Sequence, residues 1–271
     1  MKKSYGQHFL HDKNIIAKIV ATVSMEPGEL LVEVGPGAGA LTLPLLTKAL
    51  DEPGAGRGEW VGGRCILIEA DRDLVPSLHD RFPQAEIVQA DAAMVDYDAI
   101  TQGRPWVFVS NLPYNAGNAI LEKIFTSKNP PRQLVVMVQK EVGERMMAKA
   151  GEMSVLSVAT QLYCDVERLF IVKPGAFVPP PKVDSVVLRM TTKTSPHSWG
   201  DRGGLEAIIA LAKLGFAHRR KQLRQTLAQA GVSDLAVIDA AIETIGHPKT
   251  VRPQELKTED WVKFFSALNL S

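Results

Sequence analysis

Asn111-Leu112-Pro113-Tyr114 places an amide, a rigid turn and an aromatic ring side by side, directly after the apolar run 106–110. Those groups suit chemistry on an exocyclic amine of a flat base. The amine of adenine is a weak nucleophile because its lone pair is delocalised into the ring. A side-chain oxygen and a backbone carbonyl that accept its two hydrogens localise that pair for attack. Asn111 offers the oxygen and Leu112 the carbonyl. Pro113 fixes its own φ and biases Leu112 toward extended backbone, which aims the carbonyl. Tyr114 offers a stacking face, a contact that contributes about 1–3 kcal/mol per base. The same four residues also suit a plain strand-ending turn with a half-buried tyrosine, so the elements around them decide.

Upstream, Leu31-Val32-Glu33-Val34 runs into Gly35-Pro36-Gly37-Ala38-Gly39 and then an apolar helical segment. Glycines at that spacing let the backbone turn sharply and let a ligand lie against bare peptide. Cys65–Ile68 predicts a second buried strand ending at Glu69, where one carboxylate can hold the two hydroxyls of a ribose. A third strand over 86–90 ends at Asp91, placed to take an adenine amine. A glycine turn followed by acids after the second and third strands fits a nucleoside cofactor lying across the ends of a parallel sheet. The glycines do not follow the G-x-G-x-x-G spacing of nicotinamide enzymes, and Glu33 stands two residues before the first. That pattern is commoner where S-adenosylmethionine binds, which has no pyrophosphate to cradle. Each acid also has a plainer role: Glu33 as a brace for the glycine turn through backbone amides, Glu69 and Asp91 as solvated strand ends.

Five stretches together resemble one family in the same order throughout. They are Lys3–Leu10, the glycine turn, Asn111–Tyr114, Gln139-Lys140-Glu141-Val142, and Phe177-Val178-Pro179-Pro180-Pro181-Lys182-Val183-Asp184-Ser185. The chain is similar to the ribosomal RNA adenine dimethylases, and within them to the bacterial kasugamycin-resistance type, from about residue 2 to about residue 265. The resemblance implies transfer of methyl groups from S-adenosylmethionine to N6 of adjacent adenosines near the 3′ end of small-subunit (16S) rRNA, giving dimethyladenosine, on an immature 30S particle in the cytoplasm. It implies that His8 and Leu10 cover the cofactor, that Gly35 and Gly37 approach it, and that Glu69 holds its ribose and Asp91 its adenine. Asn111 would lie where cofactor and target amine meet, with Tyr114 and Phe177 stacking on the target base. Phe177 also reads as an anchor for the proline-rich segment after it. Related chemistry on large-subunit rRNA or DNA, and a ribosome-assembly role with little catalysis, are the alternatives; the full set Gly35, Glu69, Asp91, Asn111 and Tyr114 favours catalysis.

Two stretches depart from the family pattern. After Tyr114 the run Asn115-Ala116-Gly117-Asn118-Ala119 lacks the usual proline, leaving Asn118 as the expected cap of a loosely started helix. A glycine-rich insertion, Asp51 to Gly63, puts Glu69 thirty positions after Gly39 (69 − 39), against about 20 in nucleotide-binding units. It reads as a surface loop with Trp60 as its anchor.

The rest of the chain sets these residues in an α/β, Rossmann-like methyltransferase sheet followed by a small C-terminal helical domain, 1–195 and 201–271, divided at a polar linker over 191–200. Strands are expected at 31–34, 64–69, 86–90, 106–110 and 133–138, with 166–172 and 183–190 completing the sheet. Helices are expected at 204–214, 219–230, 234–244 and 254–268. At 271 residues and 45% hydrophobic the chain can bury a full core. It carries no signal-peptide pattern and no span-length apolar run. Cys65 and Cys164 read as buried thiols, and no ligand-spaced cluster predicts a metal. Net charge is only +1, so RNA contact must rest on local patches. The best is Lys213–Arg224, with five Lys/Arg and no acid in twelve positions, on helices expected to bury Leu211, Leu214, Phe216, Leu223 and Leu227. A solvated helix face is the usual explanation of such a run; resemblance to the family's Arg-Arg-Lys segment turns the preference toward rRNA. Lys128, Arg132, Lys140 and Arg145 add cations, and a monomer is expected.

Overall fold

The computed structural model describes residues 8–51, 65–193, 202–218 and 220–269. The first residues of the N-terminal motif, Trp60 with most of the insertion, the centre of the linker and Arg219 lie outside the described residues.

A seven-stranded sheet runs in the order β4 (Ala85–Gln89), β3 (Cys65–Glu69), β2 (Leu30–Val34), β5 (Trp106–Asn111), β6 (Gln133–Gln139), β9 (Ser185–Thr192), β7 (Cys164–Val172). The first five are parallel, and β9 runs antiparallel to β6. Every residue of β2 and β3 is buried, as expected of strands covered on both faces. The helices between strands are α1 (Lys13–Thr22), α2 (Thr42–Asp51), α3 (Val75–Arg81), α4 (Tyr97–Thr101) and α5 (Gly117–Phe125). Local chemistry sets their ends. Asp12 caps α1 by accepting from the amides of Asn14 and Ile15, and Lys48 Nζ closes its far end by donating to the carbonyls of Val20 and Val23 at 3.2 and 2.6 Å.

From β2 the chain winds outward to β3 and β4, then returns to place β5 on the other side of β2. That reversal opens a crevice at the carboxyl ends of β2 and β5, the place where ligands bind in open parallel sheets. A two-residue pair, β1 (Phe9–Leu10) and β8 (Phe177–Val178), forms a separate antiparallel ribbon, with Leu10 opposite Phe177 and Phe9 opposite Val178. The sequence reading missed both strands.

The chain forms two compact units, Met1–Gly143 with Val166–Thr192, and Glu144–Asp165 with Lys193–Ser271. The division expected at the linker therefore leaves out one segment: α7 (Val155–Tyr163) belongs to the second unit, with α8 (Arg202–Phe216), α9 (Leu223–Gln229), α10 (Leu235–Thr244) and α11 (Thr258–Ala267). Thr258 donates its hydroxyl to Gln161 Oε1 at 3.0 Å, and the amide of Gly151 donates to the carbonyl of Gln254 at 2.7 Å. Trp261 is fully buried and stacks on Phe216 at 5.6 Å; a Cβ on Gly215 would lie 2.6 Å from its ring, so only glycine lets α8 approach.

No helix among the described residues is long and apolar enough to cross a membrane, and no cluster of three metal-ligating side chains occurs among them. Cys65 and Cys164 are both buried.

Candidate active site

The crevice deepens into a cavity of about 260 Å³ lined by His8 and Leu10, Glu33 to Ala38, Ala40 and Leu41, Glu69, Asp91 and Asn111 to Ala116. Gly35 and Gly37 line it, and with Gly39 just behind them the turn holds φ of 66°, 56° and 80°, a left-handed backbone that costs other residues about 1–2 kcal/mol each. The turn is pinned from both sides. Gly35 N donates to the carbonyl of Ile68 at 2.9 Å, and Gly37 N donates to Glu69 Oε2 at 3.1 Å. A Cβ on Gly37 would lie 2.9 Å from the ring of Phe9, and one on Gly39 would lie 2.5 Å from Phe82. Arg81 reaches back from α3 to donate to the carbonyl of Ala38 while its guanidinium lies over the Phe82 ring. Gly39→Ala combines the left-handed penalty with an overpacking cost of about 1–3 kcal/mol. The expected outcome is a melting temperature several degrees lower, read by calorimetry; an unchanged melt would show that Phe82 yields freely.

Glu69 is buried, and each oxygen already takes one amide, from Gly37 and from Asp71 at 2.9 Å. Each oxygen keeps a further lone pair for a hydroxyl. Burial raises its pKa, and the amides of Asp71 and Gly37 offset part of that rise. Glu33 lies on the neighbouring strand and is 2% exposed; burial pushes its carboxyl up to about 8, against a 2.7 Å hydrogen bond from the Thr42 hydroxyl and with Glu69 adding repulsion. Asp91 is exposed at the rim, where its Oδ1 takes the amide of Ala93 at 3.0 Å.

On the opposite wall, the end of β5 is locked between its neighbours: Ser110 Oγ donates to the carbonyl of Val34 at 2.8 Å, and Leu112 N donates to the carbonyl of Met137 at 3.0 Å. Asn111 Nδ2 donates to the carbonyl of His8 at 3.2 Å. Tyr114 is half-buried, its hydroxyl 2.7 Å from Ser185 Oγ; burial raises its pKa, partly offset by that hydrogen bond, so the phenol stays neutral. Its ring lies 5.5 Å from the imidazole of His8.

A nucleoside cofactor fits this wall: bare peptide at the glycines, a buried carboxylate with spare lone pairs, and a second acid at the rim. The chain matches the profile of the ribosomal RNA adenine dimethylases across residues 1–269. It belongs to that family. Among its relatives are proteins named ribosomal RNA small subunit methyltransferase A. The one from Hahella chejuensis is 37% identical over 97% of this chain and 90% of its own length; the one from Xanthomonas campestris pv. campestris is 38% identical over 97% and 94%. The fold matches a dimethyladenosine transferase from Plasmodium falciparum, with TM-score 0.78 and 22% identity, covering 97% of this chain and 98% of that one. It also matches the 23S rRNA methyltransferase ErmE, with TM-score 0.71 and 24% identity, covering 97% and 100%.

The structure gathers His8, Leu10, Gly35, Gly37, Glu69, Asp91, Asn111, Leu112 and Tyr114 around one cavity. Phe177 is the exception. Opposite Leu10 in the β1–β8 ribbon it points into the core at 2% exposure and does not line the cavity, while Val178 faces out at 57%. The anchor reading fits it, and the stacking expectation does not. The start of α5 also differs from expectation. Asn118 is inside the helix; Ala116 is the cap without a side-chain bond, and the amides of Ala116 and Gly117 both donate to the carbonyl of Pro113. A Cβ on Gly117 would already touch Leu112 at 3.4 Å, so the helix starts tightly against the turn.

Sequence reasoning missed Phe9, Thr42 and Ser185. Ser185 ended a quoted motif without a role, and Thr42 opens α2; no periodicity marks Phe9 as the ring packed on Gly37. In the second unit, Arg224 is bound to Asp239 at 2.8 Å and Leu214 is 42% exposed, both against expectation. Lys213, Arg220 and Lys221 are exposed, with Lys221 Nζ donating to Gln229 Oε1 at 3.3 Å. Arg132 is engaged by Glu29 through two bonds of 2.7 and 2.8 Å, which removes it from any RNA path.

Proposed function

We propose that this protein transfers methyl groups from S-adenosylmethionine to N6 of adjacent adenosines near the 3′ end of small-subunit rRNA, producing dimethyladenosine on an immature 30S particle in the cytoplasm. The observation that carries this reading is the placing of Asn111, Leu112 and Tyr114 on the wall opposite the glycine turn and Glu69 in one cavity. The names of the small-subunit relatives support the choice of RNA.

Bound S-adenosylmethionine supplies an electrophilic methyl carbon on sulfur, with a thioether as leaving group. Glu69 would hold its ribose hydroxyls and Asp91 its adenine amine, Gly35 and Gly37 would let it approach the backbone, and His8 and Leu10 would cover it. Asn111 Oδ1 and the carbonyl of Leu112 accept the two hydrogens of the target amine and localise its lone pair, and Tyr114 stacks on the base. Asn111 is neutral, so it tolerates an amine that already bears one methyl group, as repeated methylation requires. The proton shed by the amine passes to solvent. The second unit, through Lys213, Arg220 and Lys221, contacts rRNA phosphates.

Incubation with labelled S-adenosylmethionine and small subunits lacking the modification, with large subunits and DNA in parallel, tests the reading after nucleoside digestion. Dimethyladenosine from small-subunit RNA alone is the expected product. Label in large-subunit RNA or DNA moves the substrate, and no label despite tight subunit binding overturns the catalytic reading in favour of an assembly factor.

A further inference from the structure

Asn111 serves the proposed reaction only with its oxygen presented to the amine, and an amide has two ends. The structure gives a reason for one orientation: Nδ2 donates to the carbonyl of His8 at 3.2 Å. A carbonyl oxygen has no proton to give, so the reversed amide would set Oδ1 against it, oxygen to oxygen. Oδ1 is thereby left as the end available to a substrate N–H.

The carbonyl of His8 is itself held by its own side chain. His8 Nδ1 lies 2.7 Å from the carbonyl of Pro179. That carbonyl only accepts, so Nδ1 carries the proton. The next two residues, Phe9 and Leu10, pair with Val178 and Phe177, and the imidazole packs 5.5 Å from the ring of Tyr114. Tyr114 stays neutral, and the acids on the same cavity are Glu33, Glu69 and Asp91.

We propose that His8 is a positioning residue for Asn111: its ring, clamped to Pro179, places its carbonyl, and the carbonyl orients the Asn111 amide toward the target amine. This rests on the reading of Asn111 as the amine's acceptor. Asparagine at position 8 can donate from Nδ2 to the same carbonyl, whereas alanine cannot.

The test compares His8→Ala and His8→Asn with the unaltered protein for turnover on small subunits, for cofactor affinity by calorimetry, and for the side-chain amide signal of Asn111 in ¹⁵N-asparagine-labelled protein. His8→Ala is expected to lower kcat about 10–30-fold, the scale on which a displaced positioning group acts. Cofactor affinity should fall by less than kcat does, since His8 is only part of the cover over the cofactor and its ring is also engaged by Pro179 and Tyr114, and the Asn111 amide signal should move. His8→Asn should recover most of the turnover and the signal. Equal turnover in all three proteins, failure of asparagine to rescue, or a loss of cofactor affinity as large as the loss of kcat overturns the proposal. Inactivity of the unaltered protein would instead overturn the functional reading, and the Asn111 signal would still report whether His8 holds the amide.

Discussion

Replacing Asn111 with alanine is expected to reduce methyl transfer to small-subunit RNA by about 10²–10³-fold, the usual consequence of removing one preorganised polar group from a reacting centre. Alanine keeps the backbone conformation and the carbonyl of Leu112, so one of the two acceptors for the amine survives, and the glycine wall with Glu69 is untouched. Cofactor binding should therefore persist in part. Ser110 and Leu112, bonded to Val34 and Met137, hold the end of β5 in place without the Asn111 side chain, which makes a folding defect an unlikely route to the loss. Single-turnover rates with saturating cofactor, beside calorimetric Kd values, separate the two effects. Unchanged turnover would remove Asn111 from the mechanism.

The second large effect concerns Glu33, whose carboxyl is pushed by burial from 4.5 to about 8. The folded chain keeps a proton that the unfolded chain gives up above pH 4.5, so in that window the unfolded state binds fewer protons and stability falls as pH rises. The contribution is fully present below 4.5 and spent by about 8. At about 1.4 kcal/mol per pH unit the whole interval amounts to about 5 kcal/mol as an upper figure. Glu33→Gln retains an oxygen for the Thr42 hydroxyl and abolishes the titration. Its melting temperature should match the parent's near pH 5 and exceed it by about 5–10 °C near pH 8. Parallel pH–melting curves for the two proteins would show that Glu33 is not the titrating group. Glu33 takes the Thr42 hydroxyl, while the glycine-turn amide of Gly37 goes to Glu69.

The features legible in the sequence were those written in local chemistry. Continuous apolar runs marked the central strands to within a residue or two at most ends, because strands covered on both faces leave no polar positions to blur them. Glycines at alternating positions announced a left-handed turn, and acids at the ends of the next two strands announced a nucleoside site. The Asn-Leu-Pro-Tyr turn declared its carbonyl and its ring.

The misses share a cause. β1 and β8 have two residues each, too few for a period, so nothing local told that Phe177 faces inward opposite Leu10 while Val178 faces out. A shift of one residue in such a ribbon reverses the two faces. Arg224 belonged to a basic run on paper, yet Asp239, on the next helix, takes it. Asn118 had the chemistry of a cap, but the carbonyl of Pro113 had already taken the first amides. By itself, then, the sequence determined which groups could bind a cofactor and activate an amine, because residue type and spacing set what each can donate or accept. Only the tertiary structure decided which of them share a cavity, which way the Asn111 amide is turned and which cations are spent on carboxylates, because those depend on partners up to a hundred residues away that no local pattern encodes.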